Sequence, residues 1–191
     1  MIESSNRLGI VDLVTNQFAF LTREGFTQTV EKGGLIFFYK SNDVWISITH
    51  GHLDYTLSVE IGRLTKPDES FTLQEVVEAL CPDRTKESAY QASNAKSLAK
   101  GVAQFADLVK TCASPLLDAN DPAYERVAHS SRAGRVKYTL EAQYGVFKRE
   151  ANEAWERKDF DKAQELYEQA KPALSATEEQ RLQFLAKKKR K

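Results

Sequence analysis

Two imidazoles flank a glycine at His50-Gly51-His52, and a carboxylate follows at Asp54. Divalent transition metals take imidazole nitrogen together with carboxylate oxygen, so a metal-dependent hydrolase in this chain would be built around these three residues. A third strong ligand at defined spacing is missing, and His129 stands far off in sequence. The same residues also read as a polar hairpin turn in which Gly51 supplies unusual backbone angles. Other chemistry has less to stand on. Asp54, Glu60 and Glu75 are scattered over positions that read as solvated, which suits no general acid–base pair. There is no Gly-x-Ser-x-Gly elbow, and Gly33-Gly34 reads as a hairpin and not as a phosphate loop. Cys81 and Cys112 each occupy an apolar helical position with no partner at metal-ligand spacing, and they read as free thiols. The chain is expected to be non-enzymatic and to need no cofactor.

Composition narrows the class. Hydrophobic residues make up 41% and charged residues 28% of 191, enough to bury one sizeable domain with an appendage and too apolar for disorder. The 27 basic residues balance the 27 acidic ones, so the chain as a whole has no electrostatic pull towards nucleic acid or an anionic membrane. No apolar run approaches the roughly 20 residues that span a bilayer. The start, Met-Ile-Glu-Ser-Ser-Asn, lacks a basic region followed by an apolar core, so a cytoplasmic protein is expected. Lys187 to Lys191 form a basic tail, read as complementing a helix dipole.

Around these residues the pattern predicts an α+β fold. Leu8, Val11, Val14, Phe18 and Leu21 recur at three- and four-residue steps, giving a helix over about 6–24 that Ser4, Ser5 or Asn6 caps and Gly25 stops. Four strand-like segments follow: Phe26 to Val30, Leu35 to Lys40, Val44 to Thr49 and Leu53 to Ile61. The last alternates, with Leu53, Tyr55, Leu57, Val59 and Ile61 on one face and Asp54, Thr56, Ser58 and Glu60 on the other. Their short links (Lys32-Gly33-Gly34, Ser41-Asn42-Asp43, His50-Gly51-His52) predict a four-stranded antiparallel meander. The second segment is apolar on both faces. After Pro67 the chain reads as helical: a capping box at Thr72 and Glu75, a stop at Pro82, a helix over about 86–113, and a short helix after Asp121-Pro122. Ser130-Ser131 with Gly134 reads as a hinge. Residues 1–130 are thus expected to form the α+β domain, with 131–191 a helical region packed on it.

Within that region Val136, Leu140, Tyr144, Phe147, Ala151 and Ala154 keep a seven-residue period, the seam of a helical hairpin or a coiled-coil-like face. The chain turns back at Arg157-Lys158-Asp159, and a partner helix buries Phe160, Ala163, Leu166, Tyr167 and Ala170. The order of small residues, Trp155, Asp159-Phe160, Ala163, Tyr167 and Ala170 resembles one tetratricopeptide repeat over about 135–170. Ala151 stands where that repeat usually has glycine, Pro172 comes early, and no second copy follows. A further capping box, Ser175 with Glu178, opens a last helix carrying Leu182 and Leu185.

Phe38-Tyr39-Lys40-Ser41, Asp43-Val44-x-Ile46-x-Ile48, Tyr55-x-Leu57-Ser58-Val59-Glu60-Ile61 and Leu174-Ser175-x-x-Glu178 together resemble small bacterial α+β proteins of the toxin-immunity type. That resemblance implies a protein that binds and blocks a cognate toxin. Its contacts are expected from aromatics on the meander, Phe37, Tyr39, Trp45 and Tyr55, because aromatics give large contact area at low entropic cost. An adaptor or assembly role would instead use the C-terminal hairpin, with Trp155 and Tyr167 lining a groove.

Overall fold

Alternating β-branched and aromatic residues between Thr27 and Thr72 build an open antiparallel sheet. The computed structural model describes residues 9–31, 35–51 and 54–188. Its strands are β1 (Thr27–Glu31), β2 (Ile36–Lys40), β3 (Val44–His50), β4 (Thr56–Arg63) and β5 (Lys66–Thr72), adjacent in chain order. The expected four-stranded meander therefore carries a fifth strand where helix was expected after Pro67. Pro67 has no N–H to give to a ladder, and β5 is the end of the five-strand path, where that loss is tolerated. A two-residue β6 (Tyr90–Gln91) pairs with Thr56 and Leu57 of β4.

Register decides the core. Phe37 lies opposite Ile48, Tyr39 opposite Ile46, and these lie opposite Val59 and Ile61, so all six share one buried face. That face and its surroundings are packed by α1 (Ile10–Gln17), α3 (Leu73–Leu80) and α4 (Ala95–Thr111). Gln28 of β1 donates to Thr15 of α1 at 2.9 Å.

The expected N-terminal helix breaks at Phe18, with α2 (Ala19–Arg23) beyond it, and Gly25 at φ 90° ends the run. The proposed caps Ser4 to Asn6, and Leu8, lie outside the described residues, as do the Lys32-Gly33-Gly34 turn, His52 and Leu53. β4 begins at Thr56, so Tyr55, expected on the buried face of that strand, precedes it. Leu57, Val59 and Ile61 are buried as the alternation requires. The Thr72–Glu75 capping box forms in both directions. α4 starts at Ala95 and not at about 86, because Asn94 and Ser97 cap it reciprocally and Pro82–Glu87 are a 3₁₀ turn.

Asp121 accepts from the Ala123 N–H at 2.7 Å and opens α5 (Ala123–Glu156), a single 34-residue helix. The expected hinge at Ser130, Ser131 and Gly134 is helix interior. The chain nevertheless divides into two compact units at that point, 1–131 and 132–191. Ser131 is buried in the first, its hydroxyl donating to Glu75.

In the second unit the end of α5 packs with α6 (Phe160–Gln169) and α7 (Ala176–Lys188). Ala151, Ala154, Ala163 and Ala170 are buried, which lets the helices approach closely. The turn is a Schellman motif: Asp159 N–H donates to Ala154 O and Lys158 N–H to Trp155 O. Lys158 holds the left-handed position at φ 62° where glycine is usual. Ser175 and Glu178 cap α7 as expected. Among the described residues no helix is long and apolar enough to cross a membrane.

Candidate interaction surfaces

The hairpin at His50 uses its polar groups on itself. His50 is buried and its Nε2 donates to Ala92 O at 3.1 Å, while Ala92 N–H donates to Tyr55 O at 2.8 Å. Asp54 Oδ1 accepts from Thr56 N–H at 3.1 Å, and that N–H and the Thr56 side chain hold its carboxyl below the usual carboxylate value. The Asp54 side chain folds over Gly51, where a Cβ would lie 1.9 Å from Oδ1; Gly51 does not take the unusual backbone angles expected of it, since its φ is not positive. Tyr55 takes φ 55°, costly for a residue with a side chain, and leaves its ring 45% exposed. The two described members of the metal trio thus serve the turn, and among the described residues no three His, Cys, Asp or Glu stand together as ligands.

Of the four meander aromatics expected at a contact surface, the structure withdraws two. Phe37 and Tyr39 are fully buried, facing the helices, and present no surface to a partner. Burial pushes the Tyr39 phenol up to about 12, and its oxygen has no hydrogen-bond partner among the described residues. Trp45 points to the other face, half-buried over Gly62, where a Cβ would lie 2.6 Å from the indole. Ile36 and Phe38 share that face, also half-buried.

The C-terminal pair divides likewise. The Tyr167 ring is fully buried, so it lines no open groove; its hydroxyl donates to Asn152 Oδ1 at 2.7 Å. Arg181 donates to the same oxygen at 2.9 Å, and Asn152 Nδ2 donates to Glu178 Oε1 at 2.9 Å. Burial alone would raise the Glu178 carboxyl. Hydrogen bonds from the Ser175 N–H, Asn152 and the Ser175 hydroxyl outweigh that and hold it below the usual value. Trp155 is half-buried in an aromatic cluster, edge-on to Phe160 at 5.6 Å and to Phe184 at 6.0 Å, with Phe184 54% exposed. Arg181 stacks over Trp155 at 5.1 Å and Lys188 over Phe160 at 4.0 Å. Phe184 escaped the sequence reading because Leu182 and Leu185 alone account for an amphipathic α7.

The seam on α5 is the feature that sequence placed and structure leaves half open. Val136, Leu140, Tyr144, Phe147, Ala151 and Ala154 fall within roughly 80° of the helix circumference at about 100° per residue. Ala151 and Ala154 are fully buried against α6 and α7, and Phe147 packs at the edge of that cluster. Tyr144 and Leu140 are half-buried, and Val136 is 59% exposed. Residues 132–139 are exposed on every side, Tyr138 to 77%.

Charge follows the same division. Residues 132–191 hold 15 Lys and Arg against 10 Asp and Glu, a net of +5; residues 1–131 hold 12 against 17, a net of −5. The neutral total hides two opposed halves. Between Glu125 and Glu141 there is no acidic residue, while Arg132, Arg135 and Lys137 project from the exposed turns. A groove of about 640 Å³ beside Lys148, Asn152 and Glu178 mixes both signs and contains no nucleophile set against a base. No protein-family model matches the chain, and neither do any curated protein or any solved structure.

Proposed function

We propose that this chain is a non-enzymatic protein-binding module that docks an acidic amphipathic helix along the exposed part of the α5 seam. One observation carries the reading: the apolar stripe that α6 and α7 cover at Ala151 and Ala154 continues in register through half-buried Tyr144 and Leu140 to exposed Val136. A second helix laid there would extend an interface that is already packed, with apolar anchors at helical spacing. Arg135 and Lys137 favour carboxylates on the partner's flanks. The adaptor reading of the C-terminal hairpin therefore moves from Trp155 and Tyr167 to the seam above them. The immunity-type inhibitor reading rests on the sequence resemblance and would make the partner a toxin.

A pair of synthetic helical peptides tests this. Both carry leucine at positions i, i+3, i+4 and i+7; one has glutamate on the flanks and the other lysine. Fluorescence anisotropy is expected to show binding of the glutamate peptide only, weakened at least about tenfold by Leu140→Asp, with an unchanged melting temperature. Equal binding of both peptides, or no effect of Leu140→Asp, contradicts the proposal.

A further inference from the structure

The five-strand path has two ends, and they are built differently. β5 carries Lys66, Pro67 and Asp68, all exposed, and its pairing with β4 shifts register between Gly62 and Arg63. Lysine, proline and an irregular ladder all deter the addition of a further strand. β1 has none of them. Its sequence is Thr-Gln-Thr-Val-Glu, and it pairs with β2 in unbroken register from Thr27 to Glu31. All of its residues but Gln28 are exposed, Val30 to 43%.

Hydrogen bonding decides which backbone groups β1 turns outward. His50 N–H donates to Leu35 O at 3.0 Å and Ser41 N–H to Val44 O at 2.9 Å. In an antiparallel ladder successive residues address opposite neighbours, so between those bonds Phe37 and Tyr39 turn their backbone groups to β3. Ile36, Phe38 and Lys40 address β1, where Glu31, Thr29 and Thr27 lie opposite them. The N–H and C=O of Gln28 and Val30 therefore point away from β2, and among the described residues no strand lies beyond them.

We propose that this edge pairs with β1 of a second copy of the chain, antiparallel about a two-fold axis at Thr29. That register sets Gln28 of each copy opposite Val30 of the other, so each outward group of one copy meets one of the other. Charge agrees with it. Glu31, the only ionisable side chain of β1, comes to lie opposite Thr27 of the other copy, and Lys40 stands beyond that Thr27 on the same face. Glutamate of one copy is then two strands, about 10 Å, from lysine of the other, twice by symmetry. Parallel in-register pairing would instead set the two Glu31 side chains side by side, which repels. Because β5 resists a further strand, addition of β1 to β5 in an open fibre is disfavoured, and the assembly closes at two copies. A five-residue strand, about 17 Å long, makes a small contact, so the dimer is weak and forms at high concentration.

Sedimentation velocity on the full chain from about 10 µM to about 1 mM tests this, with a rise from monomer towards dimer expected and no larger species. Thr29→Lys sets two ammonium groups against each other on the axis. Val30→Pro removes an outward N–H and leaves the bonds to β2 in place. Each should weaken association at least about tenfold while the circular dichroism of the unaltered chain is kept. Introduced cysteines locate the axis, their crosslinks being identified by peptide mapping. Under mild oxidation Thr29→Cys should give a covalent dimer, because Cα atoms paired on the axis lie about 4.5 Å apart. Glu31→Cys should not, since its two copies lie about 14 Å apart along the strands. A monomer throughout the range, species that grow beyond two copies, a dimer that Thr29→Lys leaves intact, or equal crosslinking of the two cysteine variants overturns the proposal. The concentration series on the unaltered chain and the Thr29→Cys crosslink decide the matter even if the lysine or proline variant fails to fold.

Discussion

In the first unit one face of a five-strand path is sealed by α1, α3 and α4, and side chains such as Phe37, Val59 and Val102 are removed from water altogether. In the second unit the dry contact is a few alanines with Leu166, Leu182 and Leu185. There Asn152, Tyr167, Arg181 and Glu178 join three helices through hydrogen bonds. The first unit spends Phe18, Phe37, Tyr39, Phe71, Phe105 and Tyr124 on its own core and leaves Tyr55 45% exposed. The second leaves apolar side chains uncovered along α5 and around Phe184. The largest exposures among the described hydrophobic side chains, Tyr138 at 77% and Val136 at 59%, belong to the second unit, which is where the proposed docking is placed.

The comparison is broken most severely if Phe37 is not core. Phe37→Ala should cost about 3–5 kcal/mol by leaving a cavity between the sheet and its helices, measured by denaturant unfolding. A loss below about 1 kcal/mol would return Phe37 to the surface role that its sequence context suggested.

In the second unit the corresponding loss should come from a polar side chain. Asn152→Ala strips partners from Tyr167, Arg181 and Glu178 and should cost about 2 kcal/mol. The loss should register in Trp155 fluorescence, read in a Trp45→Phe background, and not in the unfolding of the sheet.

The pH dependence of that network sharpens the contrast. Glu178 is held below its ordinary value of 4.5, so the folded form binds its proton less readily than the unfolded form. Its stabilisation is fully present above about 4.5 and disappears as pH falls through the folded value. Helicity followed from about pH 6 to pH 2 should show the second unit loosening over that acid range, and Glu178→Gln should flatten the slope. An unchanged slope in that variant would remove Glu178 from the account.

The smallest effect concerns the turn between α5 and α6. Lys158→Gly relieves a left-handed residue at the Schellman position and should stabilise the hairpin by about 0.5–1 kcal/mol in thermal melts. Destabilisation would show that the lysine side chain contributes more than its backbone costs.

How much of this was legible in the sequence follows from what each residue answers to. Capping at Thr72–Glu75 and Ser175–Glu178, the alternation through Leu57, Val59 and Ile61, and the turn at Lys158 are local events, and local pattern specifies them. β5 was not legible, because Phe71 facing the core and Glu69 meeting Arg63 at 2.6 Å matter only once β4 lies alongside. The hinge at Ser130 to Gly134 fell at the boundary of the two compact units but not at a break in the helix. Weak helix formers there sit within a 34-residue helix whose flanking turns carry them. For the site, the apolar period along α5 was visible, but where its cover stops was not. That depends on where α6 and α7 lie over the seam, which no spacing within α5 contains.

Hydrogen exchange on the full chain, with and without the glutamate-flanked helical peptide, tests the central claim most directly. The account requires amides from about Val136 to Phe147 to gain protection on binding, while β2 and β3 stay as they were. Protection gained along Ile36 to Thr49 instead, or none along α5 at saturating peptide, would contradict it.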